Sequence, residues 1–145
     1  MKLRKLISGG QTGADQQGLI EGRRLGLATG GWVPKGWRTE DGPAPWLAEF
    51  GCREHALSSY APRTEANVRD ADITLWFGNI GSPGYLCTQR AARKYYKQFI
   101  DNPTHTLVQS LAESWESFNV AGNRLSKNPG VVKLVRDAFA GLNGE

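Results

Sequence analysis

Residues Ser8-Gly9-Gly10-Gln11-Thr12-Gly13-Ala14-Asp15 (SGGQTGAD) decide the reading of this chain. The stretch sits between a short apolar run, residues 3–7 (LRKLI), and a helix-like run from Ala14 to Leu25. Three glycines in eight residues cost backbone order, so the turn they make has to be needed. A strand that ends on a glycine loop and passes straight into a helix exposes N–H groups at the positive end of the helix dipole. Such a loop holds a phosphate or another oxyanion, and the Thr12 hydroxyl and Gln11 amide add donors to it. A purely structural tight turn is the other reading of the same residues.

Outward from the loop, Ala14, Gly18, Gly22 and Leu25 fall on one helix stripe, where small residues let the helix lie close to a sheet. That packing must offset roughly 1 kcal/mol for each interior glycine. Residues 28–33 read as a second strand. From Pro34 to Leu47 three prolines, two tryptophans and the charges Lys35, Arg38, Glu40 and Asp41 make a segment too polar and broken for the core, and so long a loop in a small domain is usually functional. Arg63 to Ala71, with Pro62 at its start, reads as a helix, and Ile73 to Phe77 as a buried strand. After GNIGSPGY a helix is expected to run to about Ile100, stopped by Asp101, Asn102 and Pro103 and followed by a strand at 106–108. A last strand is expected at 117–121. The final helix has Asn128 as its cap, Pro129 in its first turn, a buried stripe of Val131, Leu134, Val135, Ala138 and Leu142, and Gly141 near its end.

Strands alternating with helices predict a mostly parallel sheet with helices on both faces, because each parallel crossover needs a helix to return the chain. Ligands of such sheets bind beyond the carboxyl ends of the strands. SGGQTGAD, the loop after Val33, GNIGSPGY and the AGNR segment should therefore share one rim. With 145 residues, 39% of them hydrophobic, the chain suits one small-molecule-binding domain, 1–145. The apolar run behind Lys2, Arg4 and Lys5 stops at Ser8, too short for a signal peptide or membrane span, so a cytoplasmic location is expected. Cys52 and Cys87 lie outside any CxxC spacing, and with only His55 and His105 available no disulfide framework or structural metal site is expected. The net charge of +4 invites a nucleic-acid reading, for which Arg90, Arg93, Lys94 and Lys97 are the candidate face. A solvated helix face opposite Ala92, Tyr96 and Phe99 is the preferred reading, which makes nucleic acid an unexpected partner.

Two nucleotide motifs are excluded. A Walker loop needs a Lys-Ser/Thr pair where this chain continues Ala14-Asp15-Gln16, and the dinucleotide fingerprint needs an acid at the end of the second strand, which here reads GGWVP. The segments SGGQTGAD, GGWVPKGWRTEDGP, RTEANVRDADITLWF and NVAGNRLSKNPGV occur in the same order as in the family named "putative molybdenum carrier", which the chain resembles over nearly its whole length. That family is similar to the Rossmann-like group of lysine-decarboxylase-like cytokinin-activating hydrolases and DNA-processing proteins. The resemblance implies a Rossmann-like three-layer α/β sandwich and a homo-oligomer, dimer or tetramer. It also implies a phosphorylated small molecule as ligand: molybdenum cofactor (molybdopterin) by the family name, or a nucleotide, with no protein-bound metal.

Such a ligand needs an anion cradle, expected from Gly9, Gly10, Gln11, Thr12 and Gly13. It needs cationic clamps, for which Lys35, Arg38, Arg63, Arg69 and Arg124 are candidates, and a flat wall, Trp32 or Trp37. Arg69 beside Asp70, and Arg38 near Glu40 and Asp41, read equally as surface ion pairs. Asn67 belongs to the site or to a turn. Gly84 and Thr88, in GSPGYLCT, stand where relatives carry a second Gly-Gly-Thr turn, and residues 109–116 form a shorter link than the relatives' helix. The PKGWRTEDGP loop is expected to close over the ligand, and Gly13→Asp to block the cradle while leaving the fold largely intact. A non-enzymatic carrier is the expected function. The alternatives are a nucleotide sensor or sequestering protein, and a nucleoside-monophosphate N-glycosidase-type hydrolase whose acid would come from Glu40, Asp41, Glu65 or Asp70, since GSPGYLCTQRAARKYY holds none.

Overall fold

In the computed structural model, which describes residues 1–143, β1 (Lys5–Ser8) ends on the glycine loop and α1 (Ala14–Arg24) follows it directly. Next come β2 (Ala28–Val33), a small hairpin of β3 (Arg38–Thr39) and β4 (Gly42–Pro43), a 3-10 turn at Pro45–Phe50, and β5 (Cys52–Glu54). The second half alternates α2 (Tyr60–Asp70), β6 (Ile73–Phe77), α3 (Pro83–Lys94), β7 (Gln98–Asp101), α4 (His105–Ser114), β8 (Ser117–Gly122) and α5 (Val131–Phe139).

Six strands form one sheet in the order β5-β2-β1-β8-β6-β7, every neighbouring pair parallel. The last strand thus enters the centre, with Ile7 facing Asn119 on one side and Leu75 facing Val120 on the other. Helices α1, α4 and α5 pack together on one face and α2 and α3 on the other, the three-layer sandwich expected from the alternation. The larger core lies under the first group, where Leu6, Phe77, Phe118, Val120, Val135 and Phe139 are fully or almost fully buried. Gly18 and Gly22 permit this closeness: a Cβ on them would meet Val120 and Thr29 at 2.8 Å.

Three expectations fail in detail. The helix expected to reach Ile100 ends at Lys94, Tyr96 turns the chain with φ 55°, and Gln98–Asp101 is the edge strand β7. Tyr96 is accordingly exposed rather than buried, and Lys97 leaves the basic helix face. The expected strand at 106–108 lies inside α4, because Thr104 caps a helix by accepting the Leu107 N–H at 3.2 Å. In α5 the residue at the N-cap position is Gly130, not Asn128, and Leu134 faces outward.

Candidate functional site

Parallel pairing brings the carboxyl ends of β1, β2, β6 and β8 to one rim. The segments following them touch there: Ala14 N donates to the Asn123 carbonyl at 3.2 Å, Leu125 N to Thr12 Oγ1 at 3.2 Å, and Asn79 N to Asn123 Oδ1 at 2.6 Å. Gly13 makes the first of these contacts feasible. With φ 81°, it would place a Cβ 2.6 Å from the Asn123 carbonyl oxygen and 2.8 Å from Leu125 N, so Gly13→Asp would force backbone apart rather than leave the fold intact.

Much of the loop's hydrogen bonding is internal. Gly10 N donates to Ser8 Oγ at 3.3 Å, Gln11 N to Asp15 Oδ2 at 3.2 Å, and Thr12 N to Gln11 Oε1 at 3.0 Å. The chain's own Asp15 carboxylate therefore sits at the positive end of α1. Its burial pushes the pKa up to about 6 from 3.8, against the pull of Arg63 and of the Gln11 N–H.

Arg63 is the centre of the candidate site. Its Nη1 lies 3.5 Å from Asp15 Oδ2, and its guanidinium lies across Gly9, where a Cβ would fall 1.9 Å from Nη1. The side chain keeps 12% of its surface, and Nε is buried with no hydrogen-bond partner among the described residues. An unsatisfied buried N–H on a permanent cation costs free energy unless something accepts from it. Tyr60, at the start of α2, has the Arg63 guanidinium over its ring at 5.4 Å and the Arg38 guanidinium at 4.7 Å. Arg63 also draws down the Cys87 thiol of α3, although burial raises it overall.

On the other side of the loop stands Glu40, from the turn between β3 and β4. Its carboxylate accepts short hydrogen bonds from the Thr12 and Ser126 hydroxyls, accepts from Ser126 N at 3.1 Å, and lies 3.7 Å from Arg124 Nε. The Ser126 and Thr12 hydroxyls, more than Arg124, hold its pKa below the ordinary value.

The other expected site residues divide. Lys35 and Arg38 border the turn before α2: Lys35 N donates to the Leu57 carbonyl at 2.9 Å and Arg38 Nη1 to that of Ser58 at 3.3 Å. Gly84 lies exposed in the first turn of α3, and the buried Thr88 hydroxyl donates to its carbonyl at 2.8 Å. Asn67 is buried and spent on β2, accepting from Trp32 N at 2.8 Å and donating to its carbonyl at 2.9 Å. Arg69 closes α2 at the end away from the rim, paired with Asp70 at 2.8 Å. Trp32 also turns to Asp70, its Nε1 donating at 2.8 Å, with Arg53 over its ring at 4.4 Å. Trp37 is partly buried against the cluster of Leu19, Val33, Ala44, Leu47 and Cys52. Of the candidate acids, Glu65 pairs with Lys94 and Asp41 is exposed at the hairpin tip, so Glu40 and the unanticipated Asp15 are the carboxylates against the glycine loop. Both cysteines are free, and among the described residues no three His, Cys, Asp or Glu side chains group as a metal site. No helix among them is long and apolar enough to cross a membrane.

A titration follows from Asp15. With its folded pKa raised, the native state holds this proton more tightly than the unfolded chain, so ionisation penalises folding above pH 6 and the penalty vanishes as pH falls below 3.8. Raising a carboxyl from 3.8 to about 6 corresponds to about 3 kcal/mol. Asp15→Asn should thus gain stability relative to wild type by about that amount between pH 4 and pH 8. Urea unfolding of both proteins at the two pH values measures it; a difference independent of pH would mean that Asp15 is ionised at little cost.

The fold and rim can be set beside known proteins. The model of the circularly permutated YpsA SLOG family matches residues 6–142. The crystal structure of a "putative molybdenum carrier protein" from Syntrophus aciditrophicus SB superposes with a TM-score of 0.87 at 33% identity, covering 96% of this chain and 94% of that one. No match was found among curated proteins. The family match spans nearly all of the sequence, and the chain belongs to the circularly permutated YpsA SLOG family.

Proposed function

We propose that the rim around Arg63 binds a phosphorylated, ring-bearing small molecule and that the protein carries it without transforming it. The observation that bears most weight is the buried, unpartnered Arg63 Nε beside Gly9, a cation with hydrogen-bonding capacity left over at the carboxyl end of a central strand. Arg38 and Tyr60 beside it add a second cation and an aromatic face, a combination suited to a ring with an anionic tail. The Syntrophus protein is named as a molybdenum carrier, and molybdenum cofactor is our candidate for such a ligand here; a nucleotide, held by a sensor or sequestering protein, meets the same requirements. The metal would arrive with its pterin as cargo.

Glu40 favours a second reading, hydrolysis of a nucleoside monophosphate, because it puts a carboxylate at the rim. Calorimetric titration with a phosphorylated pterin and with AMP, GMP, CMP and UMP, alongside a chromatographic assay for free base, separates the two. The carrier reading expects binding that requires the phosphate and Arg63, with no base released. Turnover lost in Glu40→Gln would install the hydrolase instead.

A further inference from the structure

We propose that Thr12, Ser126 and Arg124 form a second oxyanion subsite, which Glu40 fills from within the chain and which a ligand phosphate takes by displacing the β3–β4 hairpin. The idea rests on reading the rim as an anion site, and it adds a latch to that site.

The donor set is the observation. One carboxylate receives two hydroxyls, a backbone N–H and a guanidinium, drawn from the glycine loop and from the segment after β8. Donors of these kinds converging from several directions suit a tetrahedral oxyanion at least as well as a planar one. Glu40 keeps only 15% of its side-chain surface, so a phosphate cannot join it there and must replace it.

Its carrier is built to move. Each hairpin strand has two residues, and glycines stand on either side of Glu40: Gly36 at φ 86° and Gly42 at φ 96°, each with nothing within 4 Å of where a Cβ would be. Beyond the Glu40 carboxylate, the tip is held to the glycine loop by Glu40 N donating to Gln11 Oε1 at 2.9 Å. Releasing the carboxylate therefore frees the hairpin tip from Thr12, Ser126 and Arg124, while Gly36 N keeps its bond to Glu54 Oε2 at 2.7 Å and Arg38 Nη1 its bond to the Ser58 carbonyl at 3.3 Å. Displacement exchanges a singly charged carboxylate for a phosphate of about −1.5 to −2 charge on the same donors, so Arg124 faces the more negative of the two anions.

The consequence is competition within the molecule. A hairpin latched about nine-tenths of the time lowers apparent phosphate affinity about tenfold. Equilibrium titration with inorganic phosphate at constant ionic strength tests it on wild type, Glu40→Ala and the isosteric Glu40→Gln. Glu40→Ala should bind phosphate about tenfold more tightly than wild type, with Glu40→Gln intermediate, and adding Arg124→Ala and Ser126→Ala to Glu40→Ala should remove the gain. In wild type, phosphate should also accelerate tryptic cleavage after Lys35 and Arg38. Equal affinity of wild type and both Glu40 variants, including binding too weak to measure in all of them, overturns the proposal, as does a gain that survives loss of Arg124 and Ser126. Arg63→Ala separates this idea from its foundation. Phosphate binding that needs Arg63 but ignores Glu40 leaves the rim reading standing and removes the latch; a Glu40-dependent gain indifferent to Arg63 keeps the subsite and removes Arg63 from the ligand.

Discussion

Gly9→Ala is expected to lower affinity for the phosphorylated ligand by about tenfold or more while the protein stays folded. Gly9 does not occupy the left-handed region, so alanine fits its backbone. What it does not fit is Arg63, whose Nη1, Cζ and Nε would lie 1.9, 2.5 and 3.0 Å from the new Cβ. A guanidinium is the far end of a flexible side chain and swings away, whereas the strand beneath it is fixed by pairing on both sides. The methyl group thus removes Arg63 from its position without deleting it. Contacts of an anion to a charged donor are worth about 1.5–3 kcal/mol, which is roughly ten- to more than a hundredfold in affinity. Stability should fall much less, by about 1 kcal/mol, because the long Arg63–Asp15 pair is lost and Asp15 can take up a proton. Titration with inorganic phosphate and urea unfolding, run on the same preparation, measure the two effects. Undiminished affinity with a displaced Arg63 would take that residue out of the site.

The largest loss of stability is expected from Gly31→Ala. Gly31 has φ 126°, and a Cβ there would lie 2.0 Å from the Ser8 carbonyl oxygen and 2.9 Å from Ser8 N. Here the obstacle is backbone of the central strand β1, which cannot withdraw without breaking its register with β2 and β8. Backbone strain of about 1–3 kcal/mol adds to about 1–3 kcal/mol of overpacking, a large part of the 5–15 kcal/mol that holds a domain together. Gly36→Ala is the matched control: its φ is also positive, but no atom stands within 4 Å, so it should cost only about 1–2 kcal/mol. Urea midpoints that rank the two alike would mean that β1 and β2 do not approach as closely as Ser8 and Gly31 require.

What the sequence revealed follows from how local each signal is. The strands at 28–33 and 73–77 announce themselves through their own residues and form over those spans. The stop at Lys94 carries no such mark, since no glycine or proline follows and the basic residues continue at helical spacing; Tyr96 adopts a positive φ that its residue type does not advertise. Helix α4 carries a signal, Thr104 after Pro103, but the β-branched Thr104, Thr106 and Val108 outweigh it. Of the cations the sequence singles out, the fold brings Arg63 against the glycine loop and Arg38 over the Tyr60 ring beside it, a placement that depends on α2 and on the hairpin rather than on any local pattern. Glu40 was legible only as an acid in a loop, since its partners Thr12 and Ser126 are 28 and 86 residues away in the chain. Asp15 lay within the opening motif, yet its burial beneath Arg63 depends on α2, which no local pattern places. Asn67 and Arg69 show the reverse: their types suited a site, and packing uses one on β2 and the other in a surface pair.

Arg63, lying across Gly9, is proposed to hold the phosphate of a ring-bearing ligand. This role is tested most directly by heat-denaturing purified wild-type protein and Gly9→Ala, prepared in parallel, and identifying the released small molecules by mass spectrometry. The account predicts a phosphorylated ring compound from the wild type and little or none from the variant. Release of no phosphorylated compound from the wild type, or of equal amounts from both proteins, would contradict it.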